Sequence, residues 1–131
     1  MTPASSILDP NSHPTLYVSA VLMLFVDLPD TPLRTSVADQ RQARLWFDRG
    51  IPLEVLETAL MLASLRRKAR PTDAMPLPRI RSLAYFQPIV EELLANPAPT
   101  GYLQYLRFKL RALADNADPA KVQKTTFSDD R

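Results

Sequence analysis

The chain has 131 residues, which is enough for one domain with its own core, and hydrophobic residues make up 46% of it. Cysteine is absent, which excludes disulfides, thiolate nucleophiles and cysteine-ligated zinc and suits a reducing, cytoplasmic location. Sixteen Lys and Arg against fourteen Asp and Glu leave a net charge of only +2, so a basic surface requires an uneven placement of the cations.

The N-terminal part of the chain predicts an irregular arm followed by an apolar helix. Residues 1–14 are rich in Pro, Ser and Asn, whereas residues 15–28 are apolar on nearly every helical face. The apolar run is shorter than the about 17 residues that cross a bilayer. No Lys or Arg precedes it, which disfavours a signal peptide. We therefore expect a helix near the centre of the fold and no contact with a membrane.

The second predicted helix has a clear start and a clear stop. Ser36 and Asp39 have the spacing of a capping box, and Gly50 supplies a left-handed stop after the helix. Near its end Trp46 and Phe47 are adjacent, so the two rings point in different directions on a helix. We expect one ring to be buried and the other to offer an exposed edge to a protein partner.

Three further helices are predicted between the prolines of the remaining chain. The third begins at Pro52 and reaches the cations at 66–68, and the proline-rich residues 70–78 that follow are irregular. The fourth extends from about Arg79 to about Ala95, kinked or split by Pro88, and the fifth carries apolar residues at helical spacing from Tyr102 onward. The sequence thus predicts an all-α, compact bundle of about five helices in residues 15–114, with an irregular N-terminal arm and a polar C-terminal tail at 115–131.

Few residues are available for catalysis. His13 is the only histidine and lies in the predicted irregular arm, where a solvated side chain is the usual state, and without cysteine a cysteine-based triad cannot form. The two glycines do not make a phosphate loop. Glu91 and Glu92 are adjacent and diverge by about 100° on a helix. We therefore expect a protein that is not an enzyme, with no cofactor, no metal and no small-molecule substrate.

The cations are concentrated in residues 66–81. This window holds six cations against one acid, a balance of +5, so the rest of the chain sums to −3. The six are Arg66, Arg67, Lys68, Arg70, Arg79 and Arg81. A nucleic-acid backbone, of DNA or RNA, binds such clusters because neutralised phosphates release counterions. The alternative is a solvated charged face. In that case the three cations at 66–68 complement the dipole of the third helix, and Arg79 and Arg81 pair with Glu91, Glu92 or Asp73.

A second basic group lies on the fifth helix, where Arg107, Lys109 and Arg111 alternate with aromatic residues. Rings among cations stack bases in some proteins, but at this spacing rings more often belong to a core or an interface. Partner contacts are accordingly predicted at Trp46, Phe47, Tyr102 and Tyr105.

Two segments resemble the DnaD-like domain of bacterial and phage replication-initiation and primosomal proteins. They are LWFDRGIPLEVLETALMLASLRRKAR and, after a short loop, IRSLAYFQPIVEELL, and the resemblance covers about residues 36–94. Tyr85 and Ile89 match the first two positions of the motif Tyr-x-x-x-Ile-x-x-x-Trp, Leu93 replaces its tryptophan, and Pro88 departs from the pattern. The resemblance implies a helical module that contacts DNA, with Tyr85 and Ile89 at binding positions, and that helps to load replication machinery.

The leading hypothesis is therefore an accessory protein of DNA replication or of a mobile genetic element, which binds nucleic acid through its phosphate backbone. The alternative is a helical protein–protein scaffold, either self-associating or a small subunit of a larger nucleoprotein assembly.

Overall fold

Five α-helices and two short 3-10 helices form the regular structure in residues 9–71 and 73–115, the parts of the chain that this computed structural model describes. The α-helices are α1 (Pro14–Val26), α2 (Val37–Asp48), α3 (Leu53–Lys68), α4 (Gln87–Ala95) and α5 (Tyr102–Asp115). The 3-10 helices are Pro10–Ser12 and Leu83–Phe86. These residues contain no strand, and the predicted all-α bundle of about five helices is confirmed. Residues 1–8 and 116–131, which make up most of the predicted arm and tail, lie outside the described residues.

The start of α2 is a capping box. The side chain of Ser36 accepts a hydrogen bond from the backbone N–H of Asp39 at 3.1 Å, and the Asp39 carboxylate accepts one from the N–H of Ser36 at 2.9 Å. The other oxygen of Asp39 accepts a hydrogen bond from the N–H of Leu83 at 2.9 Å. Gly50, with φ of 74°, follows the helix in the left-handed conformation. The predicted start and stop are confirmed, and the cap also ties α2 to the second 3-10 helix.

The central helix is α3, not α1. It packs against α1, α4 and α5. Its buried residues point in most directions around the helix, and they are Leu56, Thr58, Ala59, Leu60, Leu62, Ala63 and Ser64. By contrast, α1 buries Tyr17, Val21 and Phe25, whereas Leu16 and Met23 on its outer face are 41% and 70% exposed. The prediction that helix one is central was wrong, because an apolar sequence on every face does not say which faces the fold covers.

The fourth helix is shorter than predicted. Residues 79–82 have no regular structure, Leu83–Phe86 is a 3-10 helix, and α4 begins at Gln87 with Pro88 in its first turn. Proline suits a first turn because no helical partner is needed for its missing N–H. The kink or split predicted at Pro88 takes the form of a change from 3-10 helix to α-helix at Gln87, and the predicted start at Arg79 is wrong. The N–H of Ile80 instead donates to the carbonyl of Asp30 at 2.9 Å.

Two large polar side chains in the core have hydrogen-bond partners. The Trp46 indole N–H donates to Oε1 of Gln87 at 2.7 Å, and the Tyr17 hydroxyl donates to the carbonyl of Ile51 at 2.7 Å. Burial raises the pKa of the Tyr17 phenol well above its ordinary value. No helix within 9–71 and 73–115 has the length and apolarity needed to span a bilayer.

Candidate nucleic-acid interface

A surface groove of about 240 Å³ lies where the end of α3 meets the second 3-10 helix and α4. Its lining residues are Ala63, Arg66, Arg67, Arg70, Leu77, Tyr85 and Ile89. The first four follow one another at spacings of three, one and three residues, which places them on one face of α3 and of the turn after it. We call this feature the arginine groove. It brings together three of the six predicted cations and both positions that the DnaD-like resemblance indicated.

The Arg67 side chain lines the arginine groove and is held in place by several contacts. Its guanidinium donates to the carbonyl of Pro78 at 2.8 Å and to the hydroxyl of Tyr85 at 3.3 Å, and it lies 3.6 Å from a carboxylate oxygen of Asp30. Its Cζ is 5.7 Å from the centre of the Tyr85 ring, and its side chain is only 11% exposed. Arg67 therefore positions the ring and the proline-rich segment and has little capacity left for a phosphate.

Arg66 is held by Glu92 on α4. Two hydrogen bonds of 3.0 and 2.5 Å join its guanidinium to the two carboxylate oxygens. The hydrogen bond to Glu92 raises the pKa of Arg66, and the same contact lowers the pKa of Glu92. About half of each side chain is exposed to solvent, so water and salt screen this pair and a phosphate can compete for the guanidinium.

Arg70 is an exposed residue of the groove lining. One nitrogen of its guanidinium donates to the carbonyl of Met75 at 2.6 Å, and no carboxylate among the described residues is paired with it. A guanidinium carries five N–H donors in a planar fork. Arg70 therefore keeps its charge and most of its donors for a ligand in the groove.

The remaining cations of the window do not line the groove. Arg79 donates to the carbonyl of Thr31 at 3.3 Å, whereas Lys68 and Arg81 are exposed and their side chains have no polar partner in the described part of the chain. The expected pairing of Arg79 and Arg81 with nearby acids is wrong. Glu91 pairs with Arg49 and Glu92 with Arg66, because α4 packs beside α3 and the end of α2 instead of facing the segment before it.

The second basic group is divided by its contacts. Arg107 forms an ion pair of 2.5 Å with Glu57 on α3, Lys109 is half-buried, and Arg111 is exposed. Tyr102 and Tyr105 form a stacked pair with ring centres 5.9 Å apart, and Tyr105 is 51% exposed. Tyr102 packs against the core, and α5 packs along α3.

The adjacent rings at the end of α2 have different environments. Trp46 is fully buried, and Phe47 is half-buried with its ring 5.2 Å from that of Tyr17. The expectation of one buried and one partly exposed ring is confirmed. The prediction that Trp46 contacts a partner is wrong, because its indole has no exposed surface. Phe47 keeps an exposed edge beside Arg44, whose Cζ is 5.7 Å from the ring centre.

Sequence reasoning missed Leu77 as a groove residue. It lies in the irregular segment between Pro76 and Pro78, where no helical or strand period indicates a buried direction. The carbonyl of Pro78 accepts from Arg67, and this bond holds the segment against α3. A single apolar residue between two prolines was the only signal available.

Comparison of the chain with protein-family models, with curated proteins and with solved structures gave no match. Among the described residues no three His, Asp or Glu side chains are grouped to hold a metal ion. The DnaD-like resemblance stays a prediction.

Proposed function

We propose that this protein binds nucleic acid through the phosphate backbone at the arginine groove, as a non-enzymatic accessory protein of DNA replication or of a mobile genetic element. The observation that supports this most is the convergence of Arg66, Arg67 and Arg70 on one concave surface. Planar guanidinium forks match phosphate oxygens, and a concave wall focuses the field of its charges. The DnaD-like resemblance supports the replication context.

The contacts of the cations in residues 66–81 decide which of them can bind a phosphate. The Arg67 guanidinium donates its hydrogen bonds within the fold. Arg66 can bind a phosphate when the phosphate displaces Glu92. Lys68, Arg70 and Arg81 are exposed and have no carboxylate partner in the described residues. Each phosphate contact on duplex DNA changes the logarithm of affinity by about −0.9 per logarithm of salt. We expect a slope of about −3 to −4 from these four cations. Such binding is modest, as suits a protein that acts within a larger assembly.

The test is a titration of fluorescently labelled DNA and RNA, read as anisotropy at several salt concentrations. The double variant Arg66→Ala/Arg70→Ala should lose about ten- to a hundredfold in affinity and reduce the salt slope by about 2. The matched control is Arg41→Ala/Arg44→Ala on α2, which removes the same two charges from a surface outside the groove. Equal losses in the two double variants, or binding that salt does not change, would exclude the arginine groove as the site.

A second candidate function is a protein–protein scaffold, and α1 favours it. No residue in Pro14–Val26 is charged, yet Leu16 and Met23 face solvent. A contiguous exposed apolar patch on a soluble protein often marks a protein–protein contact. Light scattering over a range of protein concentrations tests this function. A dimer that the variant Met23→Glu converts to monomer supports a scaffold built on α1, and a monomer at every concentration argues against self-association through this face.

A further inference from the structure

The arginine groove has two chemically different walls. One wall is the cationic face of α3, and the other consists of Leu77, Tyr85 and Ile89. A phosphate backbone alone needs only the first wall, because it offers charge and hydrogen-bond acceptors and no apolar surface. Apolar and aromatic residues that line the same groove as the guanidiniums indicate a ligand that carries a flat apolar group beside its anion.

The Tyr85 ring is held in place before any ligand arrives. The hydroxyl accepts from Arg67, the Arg67 guanidinium lies over the ring, and Phe86 packs against it edge-on with ring centres 5.2 Å apart. The residue is nevertheless 41% exposed and lines the groove. A ring that is already fixed loses little conformational entropy when a second ring stacks on it. Tyr85 therefore offers a pre-positioned ring with exposed surface to a ligand in the groove.

The size of the groove favours one unit of a polymer over a free small molecule. Pockets that enclose small ligands measure about 300–1,000 Å³. The arginine groove measures about 240 Å³ and is open to solvent along its exposed residues Arg66, Arg70 and Leu77. A groove of this size and openness suits one unit of a longer chain better than an enclosed small molecule.

We infer that the arginine groove takes single-stranded nucleic acid, with a phosphate at Arg66 and Arg70 and an adjacent base against Tyr85. This inference rests on the proposed function. In a duplex each base face is covered by its neighbours, and a protein reaches base edges only. A duplex therefore meets the cationic wall alone, whereas an unpaired strand meets both walls. Stacking on aromatic rings is the usual way in which proteins hold unpaired bases.

The experiment compares three labelled probes of equal length. They are a single strand, its duplex, and a single strand with the same sugar-phosphate backbone in which every nucleotide lacks its base. We expect the single strand to bind about tenfold more tightly than either of the others at the same salt concentration. The variant Tyr85→Leu should weaken binding of the single strand about tenfold and leave duplex binding unchanged. The matched control is Phe108→Leu, which removes an exposed ring that does not line the groove.

The outcomes separate this inference from the proposed function. Absence of salt-dependent binding to every probe contradicts both. Salt-dependent binding of equal strength to all three probes contradicts single-strand selectivity alone, and so does unchanged single-strand binding by a folded Tyr85→Leu protein. If Tyr85→Leu does not fold, the comparison of the intact and abasic strands on the unaltered protein still decides the matter.

Discussion

The carboxylate of Asp39 accepts a 2.9 Å hydrogen bond from the backbone N–H of Leu83, which lies 44 residues further along the chain. Both residues are buried, and the second oxygen of Asp39 closes the capping box of α2. One side chain thus fixes the start of α2 and the 3-10 helix that carries Tyr85. The position of the aromatic wall of the arginine groove therefore depends on a carboxylate in the core.

Replacing Asp39 should lower the free energy of unfolding more than replacing Ser36, its partner in the capping box. Ser36→Ala removes one cap bond and should lower the free energy of unfolding by about 1 kcal/mol. Asp39→Ala also leaves the N–H of Leu83 buried without an acceptor, which should bring the loss to about 3 kcal/mol. Urea unfolding followed by circular dichroism measures both variants. Equal losses would show that the bond to Leu83 adds nothing to stability.

Trp46 should behave as a core residue and as a reporter of folding. It is the only tryptophan and is fully buried, so we expect blue-shifted fluorescence that acrylamide quenches weakly until the protein unfolds. Trp46→Ala should destabilise the fold by about 3–5 kcal/mol. Ready quenching in the native protein would contradict the burial of this ring and restore Trp46 as a candidate partner contact.

Tyr17 should make the protein sensitive to alkali. Burial raises the pKa of its phenol above the ordinary value of 10.0, so the neutral form is the folded one. Below that pH both states keep the proton, and stability does not depend on this group. Above it the unfolded chain loses the proton first, so stability falls as the pH rises. Tyr17→Phe should be less stable near neutral pH by about 1 kcal/mol, and its decline above pH 10.0 should be shallower. Equal slopes for the two proteins would contradict the burial effect.

Neutralising Glu92 should strengthen binding to nucleic acid. Glu92→Gln removes the ion pair that a phosphate must displace from Arg66, so affinity should rise while the salt slope stays near that of the unaltered protein. The matched control is Glu91→Gln, which makes the same charge change but releases Arg49, a residue that does not line the groove. The two variants should differ in anisotropy titrations. A similar gain from both would indicate a general effect of net charge.

Two neighbouring positions on α1 should respond in opposite ways. Phe25 is fully buried and its ring contacts that of Phe86, so Phe25→Ala should lower the free energy of unfolding by about 3–5 kcal/mol. Met23 is 70% exposed, and Met23→Ala should change the free energy of unfolding by less than about 0.5 kcal/mol. Thermal melts of the two variants test the orientation of the helix. A large loss from Met23→Ala would mean that something covers the outer face in solution.

Local signals in the sequence were sufficient for the helix ends. The capping box needs only Ser36 and Asp39, three residues apart, and the stop needs only Gly50, so each can be recognised without knowing the fold. The consequence of Pro88 is equally local, although the helix begins at Gln87 and not before it. Local rules told us that the chain divides at this proline, but not how much of the preceding segment is helical.

The rest depends on contacts between distant residues. Arg66 meets Glu92 across 26 positions and Arg107 meets Glu57 across 50, and no spacing rule connects them. The sequence predicted a basic cluster from net charge, whereas these partners decide which cations remain available. The prediction that α1 is central failed for a related reason. A sequence that is apolar on every face does not indicate which face is buried, and the faces that α2 and α3 cover are known only from the packing.

The irregular stretch between α3 and Leu83–Phe86 also divides the molecule into two sets of helices. Three helices precede it and two follow it, and the sets meet through the Trp46–Gln87 hydrogen bond, the Asp39–Leu83 hydrogen bond and the packing of α5 on α3. A polypeptide cut within this stretch would keep all of these contacts. The two pieces should therefore remain associated after limited proteolysis and should reassemble when they are expressed separately, which makes the protein suitable for fragment complementation.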